Sequence, residues 1–145
     1  TDAVIGGDKK SIRDATGIAG VATDICWANV AYAFGELGVC VDASTATSIS
    51  IDVTSAIAGS IRVALKTEAS AASSNHLQKT ETFTAGQTKT ITLALDGTGL
   101  THSWEDAAPP AWDPEHLLQL VVVPLTQGTG CLAPYQISVD HLVVN

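Results

Sequence analysis

Polar and apolar residues alternate most regularly between positions 48 and 66. Ile49, Ile51 and Val53 fall on one side of an extended chain, and Ser48, Ser50 and Asp52 on the other. Ser55 to Gly59 reads as a turn. The pattern then returns, with Ile61, Val63 and Leu65 opposed by Arg62 and Lys66. Period-two alternation with β-branched residues predicts two half-buried strands, expected to be neighbours in one sheet. A third clear run, Thr88 to Leu95, sets Ile91, Leu93 and Leu95 on one face after a turn at Gly86 and Gln87.

The C-terminal stretch is the most apolar. Leu117, Leu118, Leu120, Val121, Val122 and Val123 make a run too short for a typical helix and rich in β-branched residues, which predicts a buried strand. Asp113 and Pro114 suit the N-cap and first position of a single turn leading into it. Tyr135, Ile137 and Val139 alternate with Gln136, Ser138 and Asp140 in a last strand with one core face, and Asp140 needs a partner there. Cys26 to Phe34 predicts a further strand. Thr1 to Asp8, Ile12 to Val21 and Thr80 to Thr84 are weaker extended pieces. Glu68 to Lys79 reads as a polar loop, and Asp96 to Ala111 as a long loop of the kind that often carries function. The pattern predicts an all-β fold, a β-sandwich or jelly roll of about eight antiparallel strands, in a single domain over residues 1–145.

Composition narrows the function classes. Hydrophobic residues make up 46% and charged residues 15%, which is a globular balance. Seven basic against fifteen acidic residues give a net charge of −8, so neither nucleic acid nor an anionic membrane surface is an expected partner. No apolar run approaches the roughly 20 residues that cross a bilayer as a helix. Abundant Ala, Thr, Ser and Gly, scarce Lys and no Met are expected of an exported, processed chain or an excised module.

Three segments stand out together: Cys40, Val41, Asp42, Ala43 and Ser44, followed by Ile49, Ser50 and Ile51; Trp104 through Trp112, Asp113 and Pro114, then Leu117, Leu120 and Val122; and Tyr135 to Leu142. In that order they resemble the carbohydrate-binding modules with a galactose-binding-like jelly roll, including family eleven. The first is similar to the family's Tyr-Asp-Ala-Ser corner and the strand after it, the second to its Trp-rich loop, Phe-Asp-Pro and following strand, and the third to its closing Phe-Asp-x-x-Ile-Asp-Asp-Leu strand, with His141 in place of the second Asp. The resemblance implies non-catalytic binding of a polysaccharide, by a module of, or companion to, a secreted carbohydrate-active enzyme. The composition alone also fits a surface adhesin or pilin-like assembly domain.

Candidate ligand-binding residues are Trp104, Trp112, Arg62, Lys66, Gln119 and Gln136. Sugar C–H bonds stack on aromatic faces while hydroxyls find polar partners, which makes Trp104 in the long loop the first stacking candidate; Trp is equally suited to plug the end of a sandwich, and Trp112, before Asp-Pro, reads as structural. Trp27 reads as core. Arg62 and Lys66 face away from the apolar positions of their strand. On a concave face the Arg62 guanidinium would bind adjacent hydroxyls with two hydrogen bonds, and on an ordinary face it would be solvated.

Similar jelly rolls imply a structural calcium at Asp140, with Asp2, Asp8 and Asp24 as partners between which the sequence does not choose. The same likeness places the strand ending near Phe34 beside the final strand, which implies a Cys40–Cys131 disulfide with Cys26 left over; a Cys26–Cys40 bridge is the competing pairing. Four scattered His without HxH or HExxH spacing give no zinc pattern. No Gly-x-Ser-x-Gly occurs, and acids such as Glu105, Asp106 and Asp113 are no more than any acidic chain offers, so no catalytic residues are assigned.

Overall fold

The computed structural model describes residues 9–11, 30–34, 38–56, 58–73, 75–103, 110–125 and 137–145. Nine strands run through them: β1 (Lys9–Ser11), β2 (Val30–Ala33), β3 (Ser48–Ser55), β4 (Gly59–Thr67), β5 (Leu77–Phe83), β6 (Gln87–Ala94), β7 (Thr101–His102), β8 (Leu117–Leu125) and β9 (Ile137–Val144). One short helix, α1 (Glu68–Ser73), joins β4 to β5. The strands form a four-stranded antiparallel sheet in the order β1-β9-β3-β6 and a five-stranded one in the order β2-β8-β4-β5-β7. The fold is an all-β sandwich.

Alternation builds the core. Ile49, Ile51 and Val53 of β3, Ile91 and Leu93 of β6, and Ile137 and Val139 of β9 face Ile61, Val63 and Leu65 of β4 and Leu120 and Val122 of β8, and all belong to one buried cluster. The Asp113 side chain caps a 3-10 turn over Pro114–His116, accepting the Glu115 N–H at 3.2 Å, and β8 starts directly after it.

Three expectations need correction. β3 and β4 are not neighbours: β3 pairs with β6 and β9, β4 with β5 and β8. Their apolar faces meet across the core instead, because the chain changes sheets between Ser55 and Gly59. The strand before Cys40 and the final strand also lie apart, β2 beside β8 and β9 beside β3. The stretch read as a loop holds α1 and the start of β5. Thr67 and Ser70 cap the helix reciprocally, Ser70 Oγ accepting Thr67 N–H at 2.9 Å and Thr67 Oγ1 accepting Ser70 N–H at 3.2 Å. In β5 only Leu77 and Phe83 are buried apolar positions. Between them on that face stand Lys79 and Glu81, and Lys89 of β6 reaches over to Glu81 at 3.4 Å and to the Phe83 ring. Charges stitching the edges of the sandwich hide that strand's alternation.

Candidate functional site

β4 is the middle strand of the five-stranded sheet. Its inner side chains form core, so Ser60, Arg62, Ala64 and Lys66 project to the outer face. The register places Arg62 between Thr80 of β5 and Val123 of β8, Ala64 between Gln78 and Val121, and Lys66 beside Gln119. Three of the expected ligand residues, Arg62, Lys66 and Gln119, thus share one face. It is a sheltered face: Ala64 is 3% and Val123 5% exposed, although neither belongs to the core cluster.

Two polar atoms here lack partners. Arg62 Nε and Gln78 Oε1 are both buried without a hydrogen bond. Burial pushes the Arg62 guanidinium below its usual value. At the end of the face, His76 Nδ1 lies 3.0 Å from Ser70 Oγ. The Ser70 hydroxyl donates to Thr67 O, so the imidazole donates from Nδ1 to Ser70 Oγ. Burial holds His76 below its ordinary range, and the positive charges of Lys66 and Arg62 push it further down.

Gln78 and His76 were missed in the sequence because they fell in the presumed loop. A strand extended back to Leu77 would have set Gln78 on the Arg62 face. His102 of β7 is a register partner of core-facing Leu77 and also leaves its Nδ1 buried without a partner.

Trp112 stands elsewhere. Its ring packs against the core cluster, and its indole N–H donates to Leu95 O at 2.6 Å. Gly97, in a left-handed turn, lies under the same ring. Trp104 and Gln136 lie outside the described residues, as do Glu105 and Asp106.

Asp140 Oδ1 accepts the N–H of His141 at 2.8 Å. Asp52, its partner across the strands, accepts the Thr90 hydroxyl at 2.5 Å. The third group beside these two carboxylates is an imidazole, and among the described residues no group of three or more His, Cys, Asp or Glu is placed to hold an ion. Asp2, Asp8 and Asp24 lie outside the described residues. Cys40 has a free, half-buried thiol next to the bridge between Val41 and Leu117, while Cys26 and Cys131 lie outside them. No helix among the described residues is long and apolar enough to cross a membrane.

No protein-family model and no curated protein matches the sequence. Solved structures share the fold. A family 11 carbohydrate-binding module from Clostridium thermocellum, in complex with a β-1,3-1,4-mixed-linked tetrasaccharide, is 17% identical with a TM-score of 0.55, over 80% of this chain and 66% of that one. The family 11 module of the cellulosomal cellulase Lic26A-Cel5E of Clostridium thermocellum is 18% identical with a TM-score of 0.56, over 96% and 84%. An exo-β-agarase is 12% identical with a TM-score of 0.56, over 95% of this chain and 22% of that one.

Proposed function

We propose that the chain binds a polysaccharide, without catalysis, on the outer face of the five-stranded sheet. The observation that carries this reading is the pair of buried, unpartnered atoms, Arg62 Nε and Gln78 Oε1, on neighbouring strands above a small-residue floor at Ala64. A buried donor and a buried acceptor left unpaired are each unfavourable by about 1–3 kcal/mol, and a hydroxylated ligand supplies the missing partner for both. Lys66 and Gln119 extend the same row. The shared fold with a module solved on a tetrasaccharide supports the ligand class.

Trp104, two residues past β7 at the edge of that sheet, is the stacking residue in this reading. The match to 22% of the exo-β-agarase chain is what one module of a larger secreted enzyme would give, and we extend the proposal to that role. Affinity electrophoresis against soluble glucans, xylans, mannans, pectins and galactans tests it. Retardation by at least one polymer is expected, and no retardation by any would favour an adhesin or assembly domain.

A further inference from the structure

Among the described residues, the two sheets differ in the charges of their strands. The four-stranded sheet carries Asp52 and Asp140 outward at its centre and has Lys9 and Lys10 on its edge strand β1. The strands of the five-stranded sheet put Arg62 and Lys66 outward and, among the described residues, no Asp or Glu: the Glu81 carboxylate turns to Lys79 and Lys89 instead. Two of the seven Lys and Arg in a chain of net charge −8 therefore share one sheltered surface, with no ion pair to an acid among the described residues. His76 adjoins them closely enough for both cations to depress it.

We infer that this face selects an acidic saccharide, one bearing a uronate carboxylate or a sulfate ester. The inference rests on the carbohydrate-binding reading and narrows it. A half-buried guanidinium without a counter-charge is unfavourable, and a neutral hydroxyl relieves the missing hydrogen bond but not the charge. A carboxylate or sulfate relieves both, because its oxygens match the guanidinium fork. Gln78 Oε1 adds the second requirement: it is an acceptor, so the ligand must bring a donor to the next strand. A simple anion lacks one; an acidic sugar carries an anionic group and hydroxyl donors on the same ring. Lys66, one pleat beyond Ala64, would meet the next charge along a polymer.

The test measures wild-type protein by affinity electrophoresis and isothermal titration against four polymers. Polygalacturonate and its neutral methyl ester form the uronate arm; a sulfated galactan and its desulfated form make the sulfate arm. At least one acidic polymer is expected to bind about 10-fold or more tightly than its neutral counterpart. Arg62→Gln is expected to lose that preference while melting at the same or a higher temperature, since it removes an unpaired half-buried charge. Equal binding of neutral and acidic forms, or an acid preference that survives Arg62→Gln, overturns the charge selection and leaves carbohydrate binding standing. Binding to none of the four but to a neutral polymer of the wider panel overturns the charge selection alone, and binding to no polymer at all overturns both.

Discussion

Asp52 on β3 and Asp140 on β9 are direct register partners, so two carboxylates share one point on the outer face of the four-stranded sheet. Like charges set opposite each other destabilise a strand pair. The chain answers with a slip in register between Ser50 and Asp52, where His141 adopts a left-handed φ of 49°. This bulge aims the imidazole back at both acids, Nδ1 lying 3.3 Å from Asp52 Oδ2 and 3.7 Å from Asp140 Oδ1.

The backbone at that position sets the first prediction. Left-handed geometry disfavours ordinary L-residues by about 1–2 kcal/mol, most of all β-branched ones, and Asn tolerates it. The exposed His–Asp contacts contribute little. His141→Asn is therefore expected within about 0.5 kcal/mol of wild type and His141→Val lower by at least about 1 kcal/mol, read from urea midpoints. A Val variant as stable as wild type would remove the left-handed bulge.

Trp104, in the long loop, and Trp112, directly after it, are expected to separate binding from stability. Trp112→Phe keeps most of the packing but strands the Leu95 carbonyl, for a loss of about 1–2 kcal/mol, or about 2–8 °C in melting temperature. Trp104→Ala is expected to leave the melting temperature nearly unchanged and to weaken polysaccharide binding by about 1–3 kcal/mol, by analogy with buried aromatic anchors. Thermal melts and titrations of both variants check this. Loss of folding in Trp104→Ala with full affinity per folded molecule would place the stacking residue elsewhere.

Cys40 carries the third prediction. Burial, with Glu68 and Asp113 nearby, pushes its thiol above the usual value and lowers the thiolate fraction that reacts. Alkylation of native protein at neutral pH is expected to be slower at Cys40 than at a cysteine in a short peptide, by quench-time mass spectrometry. A Cys40–Cys131 peptide in a non-reducing digest would instead restore the bridge implied by the likeness to similar jelly rolls.

The sandwich was legible because its core strands are amphipathic at period two: Ile49, Ile51 and Val53, or Ile61, Val63 and Leu65, identify their buried side unaided. That alternation reveals which side is buried and not which strand lies alongside, so β3 and β4 were read as edge-to-edge neighbours when they face each other. The outward direction of Arg62 and Lys66 was legible for the same reason. Gln78 and His76 were not, because β5 spends its middle inward positions on Lys79 and Glu81, which break the apolar alternation and find their partner Lys89 only on the facing sheet. The α1 helix has no apolar stripe at all; its reciprocal cap, Thr67 with Ser70, is its local signal, and a Ser at that third position is easily passed over.

The last prediction concerns acid stability. His76 is depressed below its ordinary value of 6.5, first by burial and then by Lys66 and Arg62. Between the folded and the unfolded values the unfolded chain binds more protons than the native one, so stability rises with pH across that window. Acidification from about pH 7.5 to 5.5 should therefore destabilise the protein through this residue, the loss levelling off once the pH is below the folded value. His116 works in the opposite sense. Its hydrogen bond to Asp113 raises it, so the stability it contributes is present below 6.5 and lost as pH rises through the raised value. That imidazole is half exposed, and the screened pair contributes little. The His76 effect should dominate the difference. His76→Gln is expected to narrow the gap in melting temperature between the two pH values, and Asp113→Asn to leave the gap nearly as wide while returning the His116 titration, followed by NMR, toward its ordinary range. A wild-type His76 that titrates at or above 6.5 would show that neither burial nor the two cations act on it, and the cluster of Arg62, Lys66 and His76 on one face would lose its electrostatic support.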